Sequence, residues 1–390
     1  MGIRELKKTL KEMHPDLKVI IISVFLFALG YSSVMSYIPL LLKKLGAANS
    51  DVGLVYSVIT GSASLSALLG GYLMSKMDVK KYAIVTSFLI APFALIFYFA
   101  TDWRYGLVAG FLDGVSYASA PAFSLIVYQR SKKGQIGYNF GLYGSAFSAG
   151  AAIAPAIGGL LARRFGLRTP FIFSFIMLAL SSLILTLLKP IPERPPQVKL
   201  KDSFEAIFKE KTFLKVLAVF MLLILFETAY EPFVSVYLKE MHGLDFHEIG
   251  IIVSAIFMIN FFSSPVIGMI ADKKGAAFTL GVTLVGYGIS LFILGLSNSI
   301  MLLLPAFAGI GIFKQIYTLS TISASRNVGR LPPHIAYANL HFLRTSLAVF
   351  GPVIGGYLAN ISIRAVFFAT SIVYFGIGLV SLIYSQLRKK

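Results

Sequence analysis

Twelve separate apolar runs, each long enough to cross a bilayer, leave this 390-residue chain few ways to fold. They lie at residues 18–41, 51–75, 82–101, 105–128, 138–162, 168–189, 213–238, 248–271, 276–297, 300–325, 335–360 and 364–386. A helix rises about 1.5 Å per residue, so about 20 apolar residues match the roughly 30 Å of hydrocarbon in a membrane. Prolines and glycines inside the runs do not argue against this, because neighbouring helices can satisfy the backbone groups they free. The expected fold class is an all-α integral membrane protein of twelve transmembrane helices. Only 13% of residues are charged, against roughly 25% in soluble domains.

A net charge of +18 raises nucleic acid as a partner, and its distribution answers the question. Twelve spans put both termini on one side. That side carries 25 of the 35 Lys and Arg residues and the other side carries 8, with Lys314 and Arg344 inside spans. This is the bias that sets orientation in membranes, so the basic excess needs no nucleic acid. The termini are expected in the cytoplasm. The first seventeen residues, polar and charged through Arg4, Lys7, Lys8, Lys11 and Asp16, show no cleavable signal. The chain has no cysteine, which removes thiol catalysis, disulfides and thiolate metal sites.

The longest connection, from Lys189 to Lys215, contains Pro190, Pro192, Pro195 and Pro196 and divides the spans six and six. Asp202 and Glu205 form a capping pattern ahead of Phe204, Ile207 and Phe208, which predicts a short amphipathic helix on the membrane surface. The domains are therefore read as a tail (1–17), a six-helix half (18–189), a linker (190–212) and a second half (213–390). One offset of 197 residues aligns the halves. It pairs Gly46 with Gly243, Gly53 with Gly250, Gly71 with Gly268, Gly114 with Gly311, and Pro155-x-x-Gly158-Gly159 with Pro352-x-x-Gly355-Gly356. Two pseudo-symmetric six-helix bundles in the same orientation follow.

Gly268-Met269-Ile270-Ala271-Asp272-Lys273-Lys274-Gly275, after span 8, is similar to the Gly-x-x-x-Asp-(Arg/Lys)-x-Gly signature of the major facilitator superfamily, and the chain resembles that family over essentially its full length. The resemblance implies secondary transport by alternating access, with spans 1, 4, 7 and 10 around a central cavity. It makes Gly268, Asp272, Lys273 and Gly275 gating elements of the inner face. In the first half Ser75 replaces the acid and Asp78 stands at the second glycine. Span 5 carries Gly150 to Gly159 around Pro155, similar to the signature of family antiporters, and span 11 repeats it around Pro352; both prolines are expected to serve the conformational change. In span 4, Gly110 stands where many family exporters have arginine.

Charges inside spans are costly and mark functional sites. Glu227 and Glu231 lie one helical turn apart in span 7, Asp113 in span 4 and Lys314 in span 10. Counted at about 1.5 Å per residue from the basic edge, Glu227 and Lys314 both fall about 18 Å deep, whereas Glu231 and Asp113 fall at about 24 to 26 Å. The expectation is a Glu227–Lys314 pair, with Asp113 and Glu231 as an outer tier better suited to carry protons; all three acids are proton-coupling candidates. Gln315, Tyr317, Tyr31, Tyr37, Tyr117 and Tyr230 join Lys314 as candidates to line a substrate cavity. His341 and Arg344, three apart in span 11, are expected near the inner face as a gate or as a contact to Asp272.

Enzymatic chemistry would need a nucleophile with its base or a cluster of metal ligands. The sequence has neither, nor a phosphate-cradling loop for ATP-driven pumping, and no cofactor or metal is called for. The chain is expected to be a monomeric transporter in the cell membrane, with a small-molecule substrate, protons and the lipid bilayer as partners. The lean is to export of a small amphipathic or cationic organic compound by proton antiport, with proton-coupled uptake as the alternative.

Overall fold

The computed structural model describes residues 13–132, 135–190, 211–316, 319, 342–343 and 345–387. The expected linker helix with Phe204, Ile207 and Phe208 lies outside the described residues, as do Tyr317, His341 and Arg344. Every regular element among the described residues is helical. Among the described residues, ten helices are long and apolar enough to cross a membrane: spans 1 (Pro15–Lys44), 2 (Asn49–Gly70), 3 (Val79–Phe99), 4 (Tyr105–Arg130), 5 (Ile136–Phe165), 6 (Thr169–Leu187), 7 (Leu214–His242), 8 (Phe246–Lys274), 9 (Ala276–Leu296) and 12 (Ile363–Leu387). Two shorter apolar helices, Ile300–Phe313 and Leu347–Ile361, are spans 10 and 11.

Several spans are interrupted where proline removes a backbone donor. Spans 1, 3 and 4 restart just before Pro39, Pro92 and Pro121, and span 7 restarts just after Pro232. Spans 1 and 7 both end at a glycine with positive φ, +89° at Gly46 and +67° at Gly243, a left-handed turn that other residues adopt at a cost. These are repeat partners, so the pseudo-symmetry extends to the turns.

Span 1 begins earlier than the polar tail suggests, and Asp16 belongs to the packed protein. Its side chain is 1% exposed and pairs with Arg130 Nε at 2.8 Å, at the end of span 4. It also accepts the backbone N–H of Lys189 at 3.1 Å, at the end of span 6. One acid therefore ties together three helix ends on the face of the termini.

The halves meet along span 2 against span 11 and span 5 against span 8, and the repeated residues make both contacts. A Cβ at Gly53 would lie 2.2 Å from the Pro352 carbonyl oxygen, and one at Gly250 would lie 2.3 Å from that of Pro155. Likewise a Cβ at Gly356 would meet the Asn49 carbonyl oxygen at 2.6 Å, and one at Gly159 that of Phe246 at 2.4 Å. Absent side chains let the backbones touch.

Polar contacts join the halves at the face away from the termini. Lys43 pairs with Glu240 at 3.7 Å and Arg163 with Asp245 at 3.4 Å. Asn49 Nδ2 donates to the Ala359 carbonyl at 3.0 Å, and the Ala156 N–H donates to Ser254 Oγ at 3.0 Å. Toward the termini a Cβ at Gly137, Gly141 or Gly144 of span 5, or at Gly268 of span 8, would meet nothing within 4 Å, whereas spans 2 and 11 stay joined at mid-length, Thr345 Oγ1 donating to Ser64 Oγ at 3.1 Å. The far face is sealed, and the two halves spread towards the terminal face along spans 5 and 8.

Candidate functional site

Pro232 interrupts span 7 just after Glu231, and span 10 stops at Phe313 just before Lys314. These breaks decide where the charges meet. Lys314 Nζ lies 2.7 Å from Glu231 Oε1 and 3.5 Å from Glu227 Oε1. Glu231 remains one helical turn beyond Glu227, but the expected pairing of Lys314 with Glu227 is widened: one ammonium serves both. Glu231 is its nearer partner, because a long lysine side chain on an interrupted helix spans the single turn between them. Glu227 is 1% exposed, whereas Glu231 is 53% exposed. Two carboxyls and one ammonium make up this trio.

Asp113, in span 4 of the other half, is wholly buried. Tyr31 Oη donates to its Oδ2 at 3.3 Å, while Oδ1 has no hydrogen-bond partner among the described residues. A lone carboxylate out of water is costly unless paired or neutralised, and a single tyrosine hydroxyl stands against that cost here. Tyr117 is within hydrogen-bonding reach of Tyr31. Asp113 in one half and Glu231 in the other lie within electrostatic reach of the same tyrosines, Tyr56 and Tyr117.

One expected cavity residue lies in the contact between halves, while Tyr230 is buried within electrostatic reach of Lys314, Glu227 and Glu231. Tyr37 is fully buried in the contact between halves, donating to the Pro155 carbonyl at 2.8 Å and reaching that of Phe246 at 3.1 Å. Tyr230 is buried in the second half, hydrogen-bonded to Tyr287 and edge-on to Phe367. Gln315 is 1% exposed and bonded to Ser264 Oγ at 3.1 Å, which places it against span 8. Among the gating candidates, Asp272 and Lys273 are exposed on the last turn of span 8, which Gly275 ends at φ +90°. Pro155 and Pro352 present their carbonyls to the facing glycines. Asp78 caps span 3, accepting the Lys81 N–H at 2.9 Å.

Sequence reasoning missed Asp16, Tyr56 and the polar face of span 8 formed by Asn260, Ser263 and Ser264. A lone Asn midway along an apolar run was the available signal for the last.

A chain of twelve membrane-crossing helices, built as two repeats that meet at one face, has the architecture of an alternating-access transport protein. The family model described as Major Facilitator Superfamily matches residues 20–336, and the chain belongs to that family. It is 26% identical over 382 residues to the Multi-drug resistance efflux pump PmrA homolog of Lactococcus lactis, covering 90% of each chain. It is 24% identical to the Quinolone resistance protein NorA of Staphylococcus aureus, covering 97% of this chain and 98% of the relative. Among solved structures, the nucleoside transporter NupG superposes with TM-score 0.74 at 15% identity, covering 97% of this chain and 100% of that one. A POT family transporter superposes with TM-score 0.76 at 15% identity, covering 96% of each chain. These structures share the fold of two six-helix bundles. The protein is a membrane transporter of small molecules and not an enzyme.

Proposed function

We propose that this protein exports small amphipathic or cationic organic compounds across the cell membrane in exchange for protons, as a monomer with both termini in the cytoplasm. The observation that carries the reading is that acids of both halves, Glu231 beside Lys314 and the buried Asp113, lie within electrostatic reach of the same tyrosines, Tyr56 and Tyr117. With the far face sealed, a cation entering from the terminal side reaches Glu231, the exposed member of the trio, and competes with Lys314 for it. Asp113 takes the proton. Its Oδ1 is the free oxygen, and neutralising it removes the cost of a lone buried charge. Rocking about the glycine contacts would then open the far face, where cation and proton exchange places. The naming of two relatives as an efflux pump and a resistance protein supports the outward direction, and the basic residues of the terminal side support the orientation.

The test is reconstitution in liposomes with the fluorescent cation ethidium and an imposed pH gradient. Ethidium should move against the proton flux, and Asp113→Asn should abolish gradient-driven movement while leaving ethidium exchange at equal pH. Undiminished gradient-driven transport by Asp113→Asn would refute the proton role. Protons moving in the same direction as ethidium would make the protein an uptake system instead.

A further inference from the structure

Span 10 is interrupted at Lys314 and Gln315, with helix again at Ile316, and what replaces the lost hydrogen bonds comes from span 8. The Lys314 N–H still bonds to the Ile310 carbonyl at 2.9 Å, but Lys314 itself has φ −69° and ψ 71°. The next N–H, of Gln315, turns back to Phe313 at 2.7 Å. That leaves the Gly311 carbonyl without its helical donor. In lipid such a freed group must find another. Asn260 Nδ2 donates to the Lys314 carbonyl at 2.8 Å and reaches the Gly311 carbonyl at 3.3 Å, which Ser263 Oγ also meets at 3.3 Å. The Gln315 side chain is held by Ser264 Oγ at 3.1 Å and Ser263 Oγ at 3.4 Å. Span 10 can lie this close because Gly311 has no side chain: a Cβ there would sit 2.8 Å from Ile259 Cβ.

The other half shows what happens without the amide. The 197-residue offset takes Lys314 to Tyr117, Gly311 to Gly114 and Asn260 to Ala63. Span 4 also departs from the α-helix at Tyr117, but only into a single tight turn over Tyr117–Ser119, and helix resumes at Ala120. The disturbance is common to both repeats; the wider backbone departure, through Lys314 at ψ 71°, occurs where span 8 supplies Asn260. We propose that Asn260 is a positioning residue that holds span 10 open at Lys314, setting the ammonium between Glu231 and Glu227 and joining that charge to span 8. The helix that carries Asn260 also carries Gly250, which seals the halves. A change at the acids is thereby transmitted to the contact that must open. The consequence for transport rests on the site proposed above.

The test has two arms on the full chain. Hydrogen exchange in lipid nanodiscs reads the break without any transport. In Asn260→Ala, and in the near-isosteric Asn260→Asp, which lacks the amide donors, peptides spanning residues 310–319 should exchange severalfold faster, with residues 300–308 unchanged. The second arm is the pH dependence of ethidium transport. Asn260→Ala should displace the profile, and the displacement should vanish in a Lys314→Gln background. Unchanged exchange in both variants would overturn the inference, whatever transport does. Faster exchange with a profile displaced equally with and without Lys314 would also overturn it, leaving Asn260 a mere packing residue. If Lys314→Gln alone leaves transport untouched, it is the proposed transport site that falls, and the exchange arm decides the inference by itself.

Discussion

Substituting alanine at Gly250 tests how the two halves are sealed. The added methyl carbon would sit 2.3 Å from the Pro155 carbonyl oxygen and 2.5 Å from Tyr37 Oη. An ordinary contact is about 3.4 Å, so the two backbones must part by roughly 1 Å, and neither obstacle is a flexible chain end. Overpacking of this kind costs about 1 to 3 kcal/mol. The cost falls on the sealed state alone, because the helices separate when that face opens. The expected shift towards the opened state is about 5- to 150-fold. The chain has no cysteine, so spin labels can be placed on cysteines introduced at Lys44 and Met241, exposed positions at the far ends of spans 1 and 7. Pulsed dipolar spectroscopy should show a longer-distance population growing in Gly250→Ala, and equally in Gly53→Ala at the symmetry-related contact. Gly268→Ala, on the same helix as Gly250 but with nothing within 4 Å, should leave the distances alone. A folded Gly250→Ala protein with unchanged distances would refute the reasoning.

Lys314→Met strips the cation from a nearly buried Glu227 and should cost on the order of 3 to 5 kcal/mol, largely recovered by adding Glu227→Gln; thermal unfolding that shows no such recovery counts against a shared ammonium. Tyr37→Phe loses a hydroxyl that bridges span 1 to the carbonyls of Pro155 and Phe246, leaves those carbonyls short of a donor, and should weaken the sealed state by about 1 kcal/mol, read by the same spin-label pair. Asp245 is held below the usual carboxylate range, first by the Glu248 backbone N–H and then by Arg163. A depressed acid stabilises above its unfolded pKa and loses that contribution as pH falls through the folded value. The far-face contact should therefore hold at neutral pH and loosen only below about pH 4, and Asp245→Asn should remove this acid dependence from the label distances.

The spans and the repeat were legible because both are written in spacing. Apolar length marks a crossing helix, and a constant offset marks two copies; Gly53, Gly250, Pro155 and Pro352 turned out to face one another across the halves as that offset allows. Depth along a helix was a poorer guide. It assumes an unbroken axis, and span 7 is interrupted at Pro232 while span 10 ends before Lys314. Glu231 therefore came within reach of a lysine expected to serve Glu227 alone. Tyr37 was misplaced for another reason. A tyrosine in an apolar run reads the same whether it faces a cavity, a core or a partner helix, and only the packing of the halves distinguishes these.

The glycine contacts also say something about how such a chain could arise. Gly53 touches Pro352 as Gly250 touches Pro155, so each half presents both the notch and the ridge that fits it. A surface of that kind is isologous: it is complementary to a copy of itself as well as to its sister half. A single six-helix ancestor bearing one such notch and one such ridge could have paired as a two-fold homodimer before its gene was doubled. The later divergence, with Glu227 and Glu231 where the first half keeps Gly30 and Val34, was then free to build a one-sided charge site without disturbing the seam.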